Sequence, residues 1–161
     1  MPAAEPDVEV TAWVDAPAER VWEVVGDPAR IGEISPECER VRWLDGAAGP
    51  APGARFVGHN RKGLLRWTTT STIVEMEPAE TISWDVDMLG QSVARWGFRL
   101  ESEGSGTRIV QTWRDRRSAL ASIVGKARTT DSPGHNRSGM ERTLATLKRR
   151  VEDGAAGRPN G

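Results

Sequence analysis

The alternation of apolar and polar residues predicts a run of β-strands through the middle of the chain. In the clearest case Ile82, Trp84, Val86 and Met88 are separated by polar residues, so their side chains mark one face of a strand. Turns that contain Gly or Pro separate the predicted strands, which indicates antiparallel hairpins. The other predicted strands are Val8 to Val14, Cys38 to Leu44, Ala54 to Gly63, Leu65 to Glu77, Ala94 to Leu100 and Thr107 to Arg114.

Two short helices are predicted after the first strand, and one long helix near the end of the chain. Pro17 suits the first turn of a helix, where its missing N–H is not needed, and Pro28 begins the second short helix. Residues 118–131 are ambiguous, and a short helix through Leu120 and Val124 is one interpretation of them. An apolar stripe with spacing i, i+4, i+7 and i+11 predicts the long helix. The stripe consists of Met140, Leu144, Leu147 and Val151.

This order of elements predicts an α+β domain in which a curved antiparallel sheet wraps around the C-terminal helix. A sheet that curves around a single helix leaves an apolar concavity, and side chains alone seldom fill it. We expect one domain over residues 7–153, with disordered ends at residues 1–6 and 154–161. The concavity is where a ligand would bind.

The composition is that of one soluble globular domain, with 161 residues, 37% of them hydrophobic and 28% charged. No stretch approaches the roughly 18 apolar residues that a membrane span needs, so we expect no membrane insertion. The first ten residues are acidic and contain Pro2 and Pro6, a pattern that a signal peptide does not have. We therefore expect a cytoplasmic protein.

The chain is poor in the residues that bind metals or form disulfides. Cys38 is its one cysteine, so no internal disulfide can form, and His59 and His135 are its only histidines. These three residues are too few for a convincing zinc site, and we expect neither a metal nor another cofactor. We interpret Cys38 as a structural thiol, His59 as outward-facing, and His135 as a loop residue that could sit at the cavity entrance.

The net charge of −1 is unevenly distributed along the chain. The segment from Arg114 to Arg150 contains ten Lys or Arg residues against three Asp or Glu. This segment is either a basic surface that attracts an anionic ligand or an acidic partner, or simply a solvated helix face. Nucleic acid binding is not expected, because the basic residues are not interleaved with aromatic residues and the whole chain is not basic.

Tryptophan dominates the aromatic residues, with seven Trp and no Tyr. Four of them, Trp67, Trp84, Trp96 and Trp113, fall on strands where an inner face can be argued. An indole offers a large flat apolar area and one hydrogen-bond donor. The set therefore indicates either a pocket for a flat or polycyclic molecule, or side chains that fill the space between sheet and helix.

Two amides, Asn60 and Gln111, also fall on inward positions of their strands. A buried amide without a partner costs about 1–3 kcal/mol, so each must bind a ligand group, another protein group or a buried water. Glu37 lies near the expected pocket mouth, where a surface carboxylate is the simpler interpretation. The predicted ligand-binding residues are Phe56, Asn60, Trp67, Trp84, Trp96, Phe98, Gln111, Trp113, Met140 and Leu144.

Several short motifs along the chain resemble those of one family. In their order and spacing they are similar to the START-like or Bet v 1-like superfamily (SRPBCC), of the polyketide cyclase/dehydrase and lipid-transport type, and to an actinobacterial branch of it. The resemblance covers roughly residues 8–152. The matching motifs are Ala16 to Trp22, Ser35 to Cys38, Arg42 to Leu44, Gly53 to Gly63, Trp67, Glu77 to Pro78, and Gly139 to Met140.

The resemblance implies a helix-grip fold with a deep cavity, but it does not imply catalysis. The superfamily includes lipid carriers, hormone receptors, chaperone activators and cyclases on one scaffold. Our main hypothesis is a protein, monomeric or homodimeric, that binds a hydrophobic molecule of lipid, polyketide or isoprenoid type. The alternatives are a polyketide cyclase, aromatase or dehydrase, for which the inward positions offer no evident catalytic pair, and a protein-interaction module of the chaperone-activator type.

Overall fold

A single antiparallel sheet forms the framework of the protein. The computed structural model describes residues 5–117 and 133–156, and the predicted short helix through Leu120 and Val124 lies outside them. Within these residues the strand order is β1-β7-β6-β5-β4-β3-β2, so β2 to β7 are joined as consecutive neighbours and β1 pairs with β7. The strands are β1 Val8–Val14, β2 Cys38–Trp43, β3 Arg55–Lys62, β4 Leu65–Glu77, β5 Thr81–Met88, β6 Gln91–Glu103 and β7 Gly106–Asp115.

The helices lie where the sequence predicts them. Helix α1 covers Ala18–Val25, a 3₁₀ helix covers Pro28–Glu33, and the long helix α2 covers Pro133–Ala156. Asp27 caps the N-terminus of the 3₁₀ helix, and its side chain accepts a hydrogen bond from the Ala29 N–H at 3.0 Å. The architecture is the predicted α+β helix-grip fold, with two short helices after β1 and a long helix against the curved sheet.

Helix α2 is longer than the sequence indicates. It continues to Ala156, so residues 154–156 are helical although we expected them in a disordered tail. Gly154 does not end the helix, since an isolated glycine weakens a helix without breaking it. No helix within residues 5–117 and 133–156 is long and apolar enough to cross a membrane.

Bulges interrupt the pairing of the sheet and bend its strands. The register shifts between Ile73 and Glu75 on β4, and again between Ser92 and Ala94 on β6, opposite Val86 and Asp87 of β5. A bulge adds one unpaired residue to a strand and increases its local bend and twist. Val93 is the extra residue of the bulge on β6, and although it is adjacent to Ala94 in sequence, both residues contact the space between the sheet and α2.

The main hydrophobic core lies between the sheet and the C-terminal half of α2. Leu144, Leu147 and Val151 belong to one buried cluster with Val21 and Val25 of α1. A second, smaller cluster contains Met140 of α2. Its other buried members are Val8, Ala94 and Trp113. The core therefore fills the space beside α1 and leaves the region near the start of α2 less filled.

Candidate functional site

A cavity of about 360 Å³ lies between the sheet and the N-terminal half of α2. Strands β3 to β7 contribute one wall, and the chain around Ile31 and Ser35 to Cys38 contributes another. The helix side of the cavity is formed by His135, Asn136, Gly139, Met140 and Thr143. The volume lies within the range of about 300–1,000 Å³ that is typical of small-molecule sites.

Eight of the ten predicted ligand-binding residues line this cavity. Alternation along each strand brings them to one face, as with Phe56 and Asn60 on β3, which follow the same period as Gly58. The five aromatic residues are Phe56, Trp67, Trp84, Trp96 and Phe98. The other three are Asn60, Gln111 and Met140. The structure shows where these residues lie, and their contact with a ligand stays a prediction.

Three aromatic residues of the cavity form a continuous row across the sheet. The ring centroids of Phe56 and Trp84 are 6.1 Å apart, and those of Trp84 and Phe98 are 6.0 Å apart. Trp43 extends the row from β2, with its centroid 5.6 Å from that of Phe56. Tilted and edge-to-face contacts of this kind hold aromatic rings in fixed orientations. The row therefore provides a rigid apolar floor.

The remaining two predicted residues, Trp113 and Leu144, are not part of the cavity lining. Trp113 is fully buried in the smaller cluster with Val8, Ala94 and Met140. Leu144 is buried in the main core. Both side chains therefore fill the space between sheet and helix, which is the structural role that the sequence analysis left open for the tryptophans.

The two amides differ in their surroundings. The Asn60 Nδ2 group donates weakly, at 3.4 Å, to the Gly58 carbonyl oxygen and to Thr69 Oγ1. Gln111 is only 5% exposed, and its Oε1 atom has no hydrogen-bond partner among the residues that the structure describes. The two amides thus do not satisfy each other through this oxygen, which was one of the alternatives drawn from the sequence.

A cluster of three side chains, Glu37, His135 and Lys62, lies where the cavity meets a second, polar cleft of about 590 Å³. Glu37 and His135 line both spaces, and Glu37 Oε1 lies 2.5 Å from His135 Nε2. The Lys62 ammonium lies 3.2 Å from His135 Nδ1. Because an ammonium can only donate, we assign the neutral tautomer in which Nδ1 accepts from Lys62 and Nε2–H donates to Glu37.

We expected Glu37 and His135 near the entrance from the sequence, but no pattern paired them, and none indicated Lys62. Ninety-eight positions separate the pair in the sequence, and no motif links them. Lys62 lies at the end of β3, while His135 lies in the first turn of α2. Only the packing of α2 against the sheet brings the three side chains together, so no local pattern could indicate them.

The Cys38 thiol lines the cavity and is half-buried. Burial raises its pKa to about 11, and its Sγ donates weakly to the Arg40 carbonyl oxygen at 3.7 Å. The thiol is therefore protonated at neutral pH, as expected of a structural cysteine. Within residues 5–117 and 133–156, no group of three or more His, Cys, Asp or Glu side chains could hold a metal ion.

Several of the basic residues that the structure describes in the Arg114 to Arg150 segment take part in ion pairs. Arg116 pairs with Asp85 at 3.3 Å, and Arg150 pairs with Glu33 at 3.1 Å. Lys148 pairs with Glu152 at 2.9 Å, one helical turn further on. These pairs favour the interpretation of this segment as an ordinary charged surface.

Solved structures with the same fold come from varied sources. A polyketide-cyclase-like protein from Corynebacterium glutamicum is 25% identical over 99% of both chains, with a TM-score of 0.63. A major latex-like protein from Panax ginseng is 9% identical over 89% of this chain and 95% of its own, with a TM-score of 0.69. The di-domain aromatase/cyclase of the steffimycin pathway is 13% identical over 94% of this chain and 51% of its own, with a TM-score of 0.67.

The sequence itself matches one family model over nearly its whole length. The model is described as "Polyketide cyclase / dehydrase and lipid transport", and it matches residues 5–152. No curated protein sequence matches the chain. The match agrees with the motifs that resemble the Bet v 1-like superfamily and with the helix-grip fold. The chain therefore belongs to the polyketide cyclase/dehydrase and lipid-transport family.

Proposed function

We propose that the protein binds a hydrophobic small molecule, of lipid, polyketide or isoprenoid type, in the cavity between the sheet and α2. The observation that carries this proposal is the aromatic lining of the cavity. Trp67 and Trp96 are half-buried there, so part of their apolar surface remains for a ligand to cover. Apolar surface removed from water contributes about 25 cal/mol per Å², so covering about 100 Å² would contribute about 2.5 kcal/mol.

Family membership supports a ligand-binding role, because the family description includes both lipid transport and polyketide chemistry. The ligand would enter where the cavity adjoins the polar cleft, beside Glu37 and His135. Apolar contacts would supply most of the affinity, and polar groups in the wall would orient the ligand. We further propose that this binding takes place in the cytoplasm.

Native mass spectrometry of freshly purified protein tests the proposal. We expect a fraction of the protein to carry added mass, and denaturing extraction to release an acyl, isoprenoid or aromatic compound. The same measurement on a Gly139→Leu variant, whose new side chain would enter the cavity, serves as the control and should show less bound compound. An apo mass for the wild type, together with no thermal shift across a panel of lipids and polyketides, would contradict the proposal.

A second candidate function is catalysis, and the Glu37–His135 pair favours it. A carboxylate hydrogen-bonded to a histidine in a cavity wall can remove a proton beside a ligand carbonyl. The Lys62 ammonium beside the histidine could stabilise negative charge that develops near the cavity mouth. This arrangement suits the cyclase or dehydrase part of the family description.

Turnover of a synthetic β-polyketone thioester distinguishes the enzyme from the carrier. If the protein is an enzyme, Glu37→Gln should abolish turnover while the thioester still binds, because the base is lost and the apolar walls are intact. Glu39→Gln provides a matched control, since Glu39 lies in the polar cleft but not in the cavity lining. Saturable binding without any product would leave the carrier as the function.

A further inference from the structure

The Gln111 side chain is buried in the cavity wall among apolar neighbours. Its β-sheet partners are Phe98 on β6 and Val10 on β1. Neither neighbour offers a polar side chain, and within the described part of the chain no group donates a hydrogen bond to Gln111 Oε1. The amide is 5% exposed, so bulk water does not solvate it freely.

A buried acceptor without a donor destabilises the fold, and the large majority of buried side-chain polar atoms in proteins have a hydrogen-bond partner. A leucine or methionine would suit the same position better if packing alone decided the residue. Asn60 provides a contrast inside the same cavity, because its amide contacts a carbonyl oxygen and a threonine hydroxyl. Gln111 is therefore the amide that the fold itself leaves unsatisfied.

Trp113 raises the question of an internal partner for Gln111. Its Nε1 donor is also buried without a partner among the described residues, and it lies two positions further along the same face of β7. The two groups are not hydrogen-bonded to each other in this structure. Trp113 lies outside the cavity lining, whereas Gln111 belongs to it. Of these two residues, Gln111 is thus the one that borders the space that a bound molecule would occupy.

We propose that Gln111 determines ligand specificity by accepting a hydrogen bond from a hydroxyl group on an otherwise apolar ligand. This inference rests on the proposed binding function and narrows the ligand to a hydroxylated apolar molecule. The apolar surroundings of Gln111 make the discrimination between ligands with and without the hydroxyl strong, because an analogue without it leaves the buried amide oxygen unpaired. Phe98 and Met140, also in the lining, contact the apolar body of the same ligand.

A pair of probes that differ only at the hydroxyl tests this inference. 2-Naphthol and 2-methylnaphthalene share one ring system, with a hydroxyl in the first replaced by a methyl of similar size in the second. We expect calorimetric titration of the wild type to show about tenfold tighter binding of 2-naphthol. In Gln111→Met the preference should reverse, because the methyl compound is the more apolar of the two.

Two controls accompany the titrations. Thr112→Val changes the next residue of β7, which is not part of the cavity lining, and should leave the preference for 2-naphthol unchanged. Without any ligand, Gln111→Met should raise the melting temperature, since it removes an unsatisfied buried group and keeps a side chain of similar length.

Each contrary result has a distinct meaning. Equal binding of both probes to the wild type and to Gln111→Met would overturn the inference and leave the apolar pocket standing. A large fall in melting temperature for Gln111→Met would show that the amide is bonded inside the protein, for example to the Trp113 indole, and would also overturn it. If neither probe binds to any variant, the proposed pocket function fails together with the inference.

Discussion

The two halves of α2 face the same sheet, yet one half packs into a core and the other borders a cavity. Leu144, Leu147 and Val151, from the middle of the helix toward its C-terminus, are each at most 4% exposed and belong to the main cluster. In the N-terminal half, Gly139 and Thr143 face the open space. The same helix therefore stabilises the fold at one end and shapes a site at the other.

Side-chain size and the position of α1 account for the difference. Helix α1 contributes Val21 and Val25 to the filled half. In the open half, Gly139 has no side chain, and the Thr143 hydroxyl donates to the Gly139 carbonyl oxygen at 2.8 Å. Small residues on the helix, as well as the curvature of the sheet, therefore determine where this cavity lies.

The filled half should be much more sensitive to truncation than the open half. Leu147 is fully buried, so Leu147→Ala should lower the free energy of unfolding by about 2–5 kcal/mol, measured by urea denaturation. The matched change in the cavity wall is Val93→Ala, where the side chain is half-buried and already borders open space. That variant should lose about 1 kcal/mol. Equal losses in the two variants would mean that the cavity is filled in solution.

Substitutions at Gly139 can either stabilise the open half of α2 or fill the cavity beside it. A Cβ atom placed there would have Pro36 Cγ, 4.0 Å away, as its nearest neighbour, so Gly139→Ala fits without strain. We expect it to raise the free energy of unfolding by about 1 kcal/mol, because alanine favours a helix more than glycine does. Gly139→Leu should keep the fold and abolish ligand binding by occupying the cavity. A Gly139→Leu variant that binds as the wild type does would place the ligand elsewhere.

Cys38 reports on the cavity without any substitution. Since burial raises its pKa to about 11, the thiolate fraction at pH 8 is about a hundredfold smaller than that of an ordinary cysteine with a pKa of 9.0. Labelling by iodoacetamide should therefore be slow at pH 8 and should accelerate as the pH rises toward 11. A bound ligand should slow it further, and urea-unfolded protein gives the reference rate. Fast labelling of the folded protein at pH 8 would contradict the burial of this wall.

The smallest effect is expected on the outer face of the sheet. Asp85 accepts hydrogen bonds from Arg95 at 2.5 and 3.0 Å and lies 3.3 Å from Arg116. The bond to Asp85 holds the pKa of Arg95 above its usual value. Because Asp85 is only 15% exposed and Arg95 holds it through two hydrogen bonds, Asp85→Asn should cost about 1 kcal/mol by thermal denaturation, at the upper end of the range for exposed ion pairs. Ligand affinity should not change, and a loss of affinity would show that the outer face influences the cavity.

Regular alternation made most of the sheet predictable from the sequence. The predicted bounds of β1 and β4 agree with the structure, and the face that carries Trp84 and Val86 was identified correctly. Period-two patterns report the burial of a strand face, which is a local property. Burial alone does not distinguish a core wall from a cavity wall, so Trp113 was grouped with Trp96 although only Trp96 borders the cavity.

Features that depend on long-range packing were not predictable. The Glu37–His135 pair joins two segments that are distant in sequence, and the bulge at Val93 on β6 brings both Val93 and Ala94 to the cavity. No local pattern specifies either arrangement. The lack of a hydrogen-bond partner for Gln111 Oε1 was equally unpredictable, because it depends on every neighbour on β1 and β6.

The pairing of β1 with β7 sets the order in which the chain can fold. Val8 lies opposite Trp113, so β1 has no sheet partner until β7 has been made. Non-local pairings of this kind slow folding, and an unpaired strand is a site for wrong association. Strands β2 to β7 can pair one hairpin at a time, whereas β1 can pair only after β7 has formed. On the ribosome, the cavity is therefore complete only after β7 and α2 have emerged, and until then β1 has no partner in this sheet.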